Sequence, residues 1–265
     1  MTIQEMIDNA VAEGYSTENA EAKVCQDIVL KGIADSSLSR NATIKGGVVM
    51  RSLSQNARRA TQDLDIDFIK YSIGDESIQS FIQKINCVPG VSIELTGEIK
   101  ELKQQDYRGK RVFVQITDKS GDHIISKIDF GVHKLMELSQ EEYCFDIAFS
   151  KEGACLLINT KEQMLTEKLR SLLRFGTIST RYKDIFDIWY LSKIIDKTDL
   201  KKCIQLLILE DDKMREKSMQ DIFYRVNEVL SDSDFVKNLK MSGKNWTNND
   251  DNDVIRETKQ FIETL

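Results

Sequence analysis

Three aspartates alternate along Asp63-Leu64-Asp65-Ile66-Asp67, downstream of a glycine pair, Gly46-Gly47. A strand over Asp63 to Phe68 places the carboxylates on one face and Leu64, Ile66 and Phe68 on the other, because side chains alternate with a period of two. Like charges stacked in this way repel one another. A chain keeps them mainly where a divalent cation neutralises them, and hard oxygen ligands suit Mg²⁺ or Mn²⁺. Gly46 and Gly47, lacking side chains, let the N–H groups of a following helix approach phosphate oxygens closely. A third carboxylate, Asp129, ends the largely apolar run Ile124 to Gly131. If that run pairs beside the aspartate strand, Asp129 faces Asp63 and Asp65, and the three form the ligand set of a two-metal phosphoryl-transfer site. Asp67, one strand step of ~7 Å further on, reads as a bystander. A glycine turn and a solvated acidic edge would explain either feature alone; their order together favours the site.

Helical spacing covers residues 3–13, 17–34 and 75–86, with a short helix after Gly46-Gly47 through Val48, Val49 and Leu53. After Pro89-Gly90 three strand-like segments follow, Val91 to Leu102, Lys110 to Asp118 and His123 to Phe130, joined by turns at Tyr107-Arg108-Gly109 and Lys119 to Asp122. These predict an antiparallel meander beside the aspartate strand. Phe145 to Ile147 reads as one more short strand, and from Thr160 onward the periodicity is helical. The expected fold class is α+β, a mixed sheet with flanking helices over residues 1–155 and a helical C-terminal domain over 156–265 that closes the active-site cleft.

In the helical half, Leu165, Leu169, Leu172 and Leu173 form an apolar stripe with Lys168 on its flank, half buried, while Arg170 and Arg174 point away. In the next helix Asp184 falls within the stripe Ile185, Ile188, Leu191 and Ile195, and Asp187 borders it. A carboxylate there needs a cation, and Lys168 or Arg181 can supply it. A structural ion pair between two helices and a catalytic role are equally open. Trp189 and Tyr190 read as packing, and His123 and His133 as satisfied surface histidines. Arg58, Arg59, Arg108, Lys110 and Arg111 are candidates for a basic rim of the kind an acidic protein handling RNA needs, a solvated charged face being the commoner explanation of each.

A net charge of −6 argues against indiscriminate nucleic-acid binding. No apolar run approaches the roughly 20 residues of a membrane span, and the acidic N-terminus lacks the order of a signal peptide, so cytoplasmic residence is expected. Five scattered cysteines without a CxxC, alongside two histidines, argue against zinc or a disulfide framework and read as small buried hydrophobes. The polar run Thr247 to Asp253 reads as a solvated loop before a last helix.

Lys45-Gly46-Gly47 followed by Arg59-Ala60-Thr61-Gln62-Asp63-Leu64-Asp65 resembles the signature of the AbiEii/AbiGii nucleotidyltransferases, toxins within the DNA polymerase β superfamily. Lys127 to Gly131, Glu167-Lys168-Leu169 and Arg181 to Asp187 resemble that family's later motifs, in order, although Lys183 stands where many relatives have arginine. The resemblance implies a polymerase β-like nucleotidyltransferase core that uses Mg²⁺ (or Mn²⁺) to transfer NMP from an NTP to an acceptor hydroxyl. It implies metal on Asp63 and Asp65, phosphates on Gly46 and Gly47, support from Arg59 and Thr61, and a site completed by Lys168 with Asp184 or Asp187. Asp129 is expected to bind a metal or act as base. A separately encoded antitoxin is the implied partner and tRNA the leading acceptor. A small-molecule or protein acceptor, or a degenerate nucleotide- or partner-binding module, are the alternatives.

Overall fold

The computed structural model describes residues 2–102 and 109–265. The chain divides into two compact units, Met1–Asn159 and Thr160–Leu265.

The first unit opens with α1 (Ile3–Ala12), capped reciprocally by Thr2 and Glu5, and α2 (Thr17–Asp35), much of which is buried. Strand β1 (Ala42–Lys45) turns through Gly46 into α3 (Gly47–Ser54). Then come β2 (Leu64–Phe68), α4 (Asp75–Ile85), and five strands: β3 (Val91–Leu102), β4 (Gly109–Asp118), β5 (His123–Val132), β6 (Gln140–Ile147) and β7 (Ser150–Asn159). All seven strands form one mixed sheet in the order β3-β4-β5-β2-β1-β7-β6. The β2–β5 and β1–β7 pairs are parallel and the others antiparallel.

One sheet face is core. Ile44, Leu64, Ile66, Phe68, Ile128, Phe130, Val112 and Val114 are all buried. Phe68, Phe81 of α4 and Phe130 close an aromatic cluster with centroids 4.9 to 5.4 Å apart. The other face is left to the polar members of the same strands. That division follows from the alternation of apolar and charged residues in β2, since a one-residue slip would put its aspartates into the core.

Two of these strands carry little sequence signal. β1 is four residues long, and β7 carries Gly153 at φ +65°, whose Cβ position lies 2.5 Å from the Phe145 carbonyl. β2 begins at Leu64, so Asp63 lies just ahead of it rather than within it. The expected turn at Tyr107-Arg108 lies outside the described residues. Cys144 and Cys155, opposite one another on β6 and β7 and exposed, are joined in a disulfide, and Cys87 is exposed. The expectation of five buried free thiols therefore holds only for Cys25 and Cys203. Cross-strand register brought together two cysteines whose spacing in sequence suggested nothing.

The second unit contains helices α5 (Lys161–Phe175), α6 (Tyr182–Leu191), α7 (Lys197–Ile204), α8 (Met219–Val229), α9 (Ser233–Met241) and α10 (Asp251–Glu263). A π-helical turn, Gln205–Leu209, extends α7. Side chains of Thr160, Asp196, Ser218, Asp232 and Asp250 each accept a backbone N–H at the start of one of these helices. Asp250 and Asp251 thus belong to the start of α10, which takes up part of the expected loop, and Thr247 is buried. With ten α-helices and a seven-stranded sheet among the described residues, the chain is α+β. No helix among them is long and apolar enough to cross a membrane.

Candidate active site

Strand register sets the site. Lys45 pairs with Asp65 across β1–β2, Asp65 with Asp129 across β2–β5, and Asp129 with Arg111 across β5–β4. Partners in register share a face, so four charges lie in one row across four strands in the order cation, carboxylate, carboxylate, cation. The sequence placed Asp129 beside the aspartates only conditionally. Parallel pairing of β5 with β2 puts it directly opposite Asp65.

Each carboxylate meets a different environment. The Arg111 fork donates to both Asp129 oxygens at 2.7 Å, and this hydrogen bonding holds the guanidinium pKa above its usual value. Lys127 Nζ lies 2.7 Å from Asp63. Asp67 is buried and paired at 2.8 Å with Lys45, the lysine that stands opposite Asp65. Among the described residues Asp65 has no direct ion-pair partner. Its carboxyl is pushed up to about 6, by burial first; Lys45 opposes the shift, and Asp129, Asp63 and Asp67 add to it. No three His, Cys, Asp or Glu side chains among the described residues are grouped closely enough to hold a metal as they stand. Lys127 and Arg111 occupy two of the expected ligands.

The glycine pair is explained by contact. Gly46 adopts φ +69°, ψ −136°, a conformation open essentially to glycine, and a Cβ there would lie 2.5 Å from Asp65 Oδ2. At Gly47 a Cβ would lie 2.5 Å from Thr61 Oγ1 and 2.6 Å from Thr61 Cβ. The turn is thus pressed against Asp65 and Thr61, and the first N–H groups of α3 have no side-chain cap among the described residues. Gly46→Ala is expected to cost ~1–3 kcal/mol in backbone strain. A thermal melt should show the transition lowered by several degrees, and unchanged melting would mean that the turn tolerates a side chain.

A buried network that sequence analysis did not single out fixes the loop between α3 and β2. Lys23 pairs with Asp27 at 2.7 Å, and Arg51 donates to Asp27 at 3.0 Å and to Gln26 Oε1 at 2.7 Å. Gln26 Nε2 in turn donates to the Thr61 carbonyl at 2.9 Å. The available signal was polar residues inside apolar runs: Gln26 and Asp27 beside Ile28, and Arg51 after Met50. Arg59 is buried in the same stretch, and Lys110, across the strand from Arg111, is paired with Asp75 and Glu101. Of the expected basic rim, Arg111 is thus taken by Asp129, and Arg108 lies outside the described residues.

In the helical unit, Lys168 of α5 is 2.9 Å from Asp184 and 2.6 Å from Asp187, both on α6. Depth is the reverse of the expectation: Asp187 is fully buried and also accepts from Trp246 Nε1 at 3.0 Å, while Asp184 keeps partial exposure. Asp184 sits in the first turn of α6, whereas Asp187 lies a turn deeper, where Trp246 covers the helix. Arg170 pairs with Asp211 and is part buried rather than pointing away, and Arg181 is exposed. Trp189 donates to Glu257, and Tyr190 packs on Trp246. His133 is buried, its Nε2 3.2 Å from the Leu138 carbonyl, so its surface placement was wrong while its satisfaction was right.

The family model for the nucleotidyl transferase AbiEii toxin, type IV TA system, matches residues 28–252. The chain belongs to the AbiEii family. That match spans the glycine turn, the charged row and the Lys168 cluster alike, and it extends well past residue 195, where the recognisable motifs end. No curated protein matches the chain. For an AbiEii-family chain the coarse activity is nucleotidyl transfer by a toxin.

Proposed function

We propose that this AbiEii-family chain is a Mg²⁺-dependent nucleotidyltransferase, its first unit a polymerase β-like core, that moves NMP from an NTP to an acceptor hydroxyl, with tRNA the leading acceptor. One observation carries the reading: Asp65, with a raised pKa and without a direct ion pair among the described residues, stands beside Asp129 and against a glycine turn that leads into an α3 start with no side-chain cap. Those donors fit a hard cation, since all are carboxylate oxygens and Asp65 still feels repulsion from three aspartates, which Lys45 offsets only in part. Bound Mg²⁺ or Mn²⁺ would supply charge neutralisation for the triphosphate and the attacking oxygen.

In this reading Asp63 and Asp65 hold the cation, and the α3 N–H groups behind Gly46 and Gly47 hold phosphate oxygens. Thr61 and Arg59 brace the turn and the triphosphate, and Asp129 binds a cation or takes the proton of the acceptor hydroxyl. Lys168, with Asp184 or Asp187, is assigned to the reaction on the family resemblance alone. The type IV family points to a separately encoded antitoxin as protein partner and to action in the cytoplasm.

Incubation with α-labelled NTPs and separated cellular RNA, protein and metabolite fractions tests the proposal. Label should enter RNA, and an Asp63→Ala/Asp65→Ala chain should transfer none. Label in protein or metabolites would move the acceptor to another class. Tight NTP binding without transfer to any fraction would make the chain a binding module.

A further inference from the structure

We propose that Arg111 is a displaceable internal counter-ion that keeps Asp129 in reserve, so that the carboxylates take a first cation readily and a second only when the Arg111 fork lets go. The inference rests on the metal-binding reading above. Its basis is the asymmetry of the row. Asp65 has no direct partner among the described residues, Asp63 has a single lysine contact, and Asp129 is gripped at both oxygens. A lysine ammonium is a point charge on a flexible stem and yields easily, whereas the planar guanidinium matches a carboxylate in two parallel bonds and stays charged at any working pH.

The pair is also built to open. Asp129 is nearly buried, at 9% side-chain exposure, while Arg111 is at 33%, so the cation lies on the solvent side of the carboxylate and can leave without disturbing the core. Asp63 and Asp65 also favour its charge, less than Asp129 does. Lys110 is held by Asp75 and Glu101, so its neighbour on β4 does not replace it. A site whose binding-competent state is populated only in part takes its ligand with an affinity reduced by that fraction. Bidentate pairing therefore weakens any cation bound through Asp129 until Arg111 is drawn off, and Arg111 acts as a positioning residue rather than a catalytic one.

Mn²⁺ titration of the full chain, followed by the EPR signal of the free ion, reads this directly. Arg111→Gln should tighten a second Mn²⁺ by about ten-fold or more, Arg111→Lys should do so less, and Asp129→Asn should abolish the gain in the Arg111→Gln background. Second-site affinity unchanged or weaker in folded Arg111→Gln overturns the proposal. If that variant does not fold, the same result in Arg111→Lys overturns it. Should Asp63→Asn and Asp65→Asn leave Mn²⁺ binding intact while the Arg111 effect persists, the functional reading fails and the counter-ion role stands. Absence of Mn²⁺ binding in every variant overturns both.

Discussion

Asp65→Asn is expected to lower nucleotidyl transfer by about 10³-fold while making the metal-free protein more stable at neutral pH. The two effects have one cause. In the folded chain the Asp65 carboxyl is pushed up to about 6 from the ordinary 3.8, because burial and three neighbouring aspartates disfavour its charge more than Lys45 favours it. Between those two values the folded state holds the proton that the unfolded state has lost. Stability therefore falls as pH rises through this window, and above it the wild type carries the full penalty. A shift of this size corresponds to ~1–3 kcal/mol, allowing for the partial exposure of the group. Asparagine removes the charge and with it the penalty. Melting curves of variant and wild type should coincide below about pH 4 and separate progressively up to about pH 6.5, with the variant melting higher. Saturating Mg²⁺ should reverse the order at neutral pH, since only the wild type retains the ligand. A variant less stable than wild type at pH 7.5 without metal would show that Asp65 is held by a favourable partner instead.

Lys168→Met is expected to destabilise the helical unit strongly. Asp187 is fully buried, with Lys168 at 2.6 Å and the Trp246 indole at 3.0 Å. Removing the lysine takes away the cation 2.6 Å from that buried carboxylate, and a broken buried pair of this kind costs ~3–5 kcal/mol. Adding Asp187→Asn to the same chain removes the buried charge while keeping an oxygen for Trp246. That double variant should recover at least half of the loss in denaturant midpoint. The comparison separates the two explanations that sequence left open for Lys168, because a residue used only in the reaction would alter transfer with little change in midpoint. A midpoint within ~0.5 kcal/mol of wild type, the range of ordinary surface changes, would refute the structural role.

Much of this site was legible because β2 obeys the simplest rule in the chain. Alternation in Asp63 to Phe68 assigns one face to the core and one to the carboxylates, and the apolar run around Ile128 marks β5 in the same way. The glycine pair was legible as a turn, although its reason was not: Gly46 is required by Asp65 and Gly47 by Thr61, residues distant in sequence. β1 and β7 escaped notice because a four-residue strand and a strand carrying a positive-φ glycine have too few alternations to register. Asp184 and Asp187 were ranked wrongly in depth because a helical wheel knows one buried face, whereas α6 is also covered by Trp246.

By itself the sequence determined which residue types stand together locally: alternating aspartates, a glycine turn before a helix, and an order of motifs that fits the AbiEii family. Those are properties of neighbours along the chain, set by backbone periodicity and by the conformational freedom of glycine. Only the tertiary structure decided which cation each carboxylate meets. Lys45, Asp65, Asp129 and Arg111 come into one row through strand pairing between segments far apart in sequence, and no local period encodes that register. Charge pairing falls off steeply with distance inside a protein, so the division into an Asp65 without a direct ion pair among the described residues and a gripped Asp129 exists only once the strands are laid side by side.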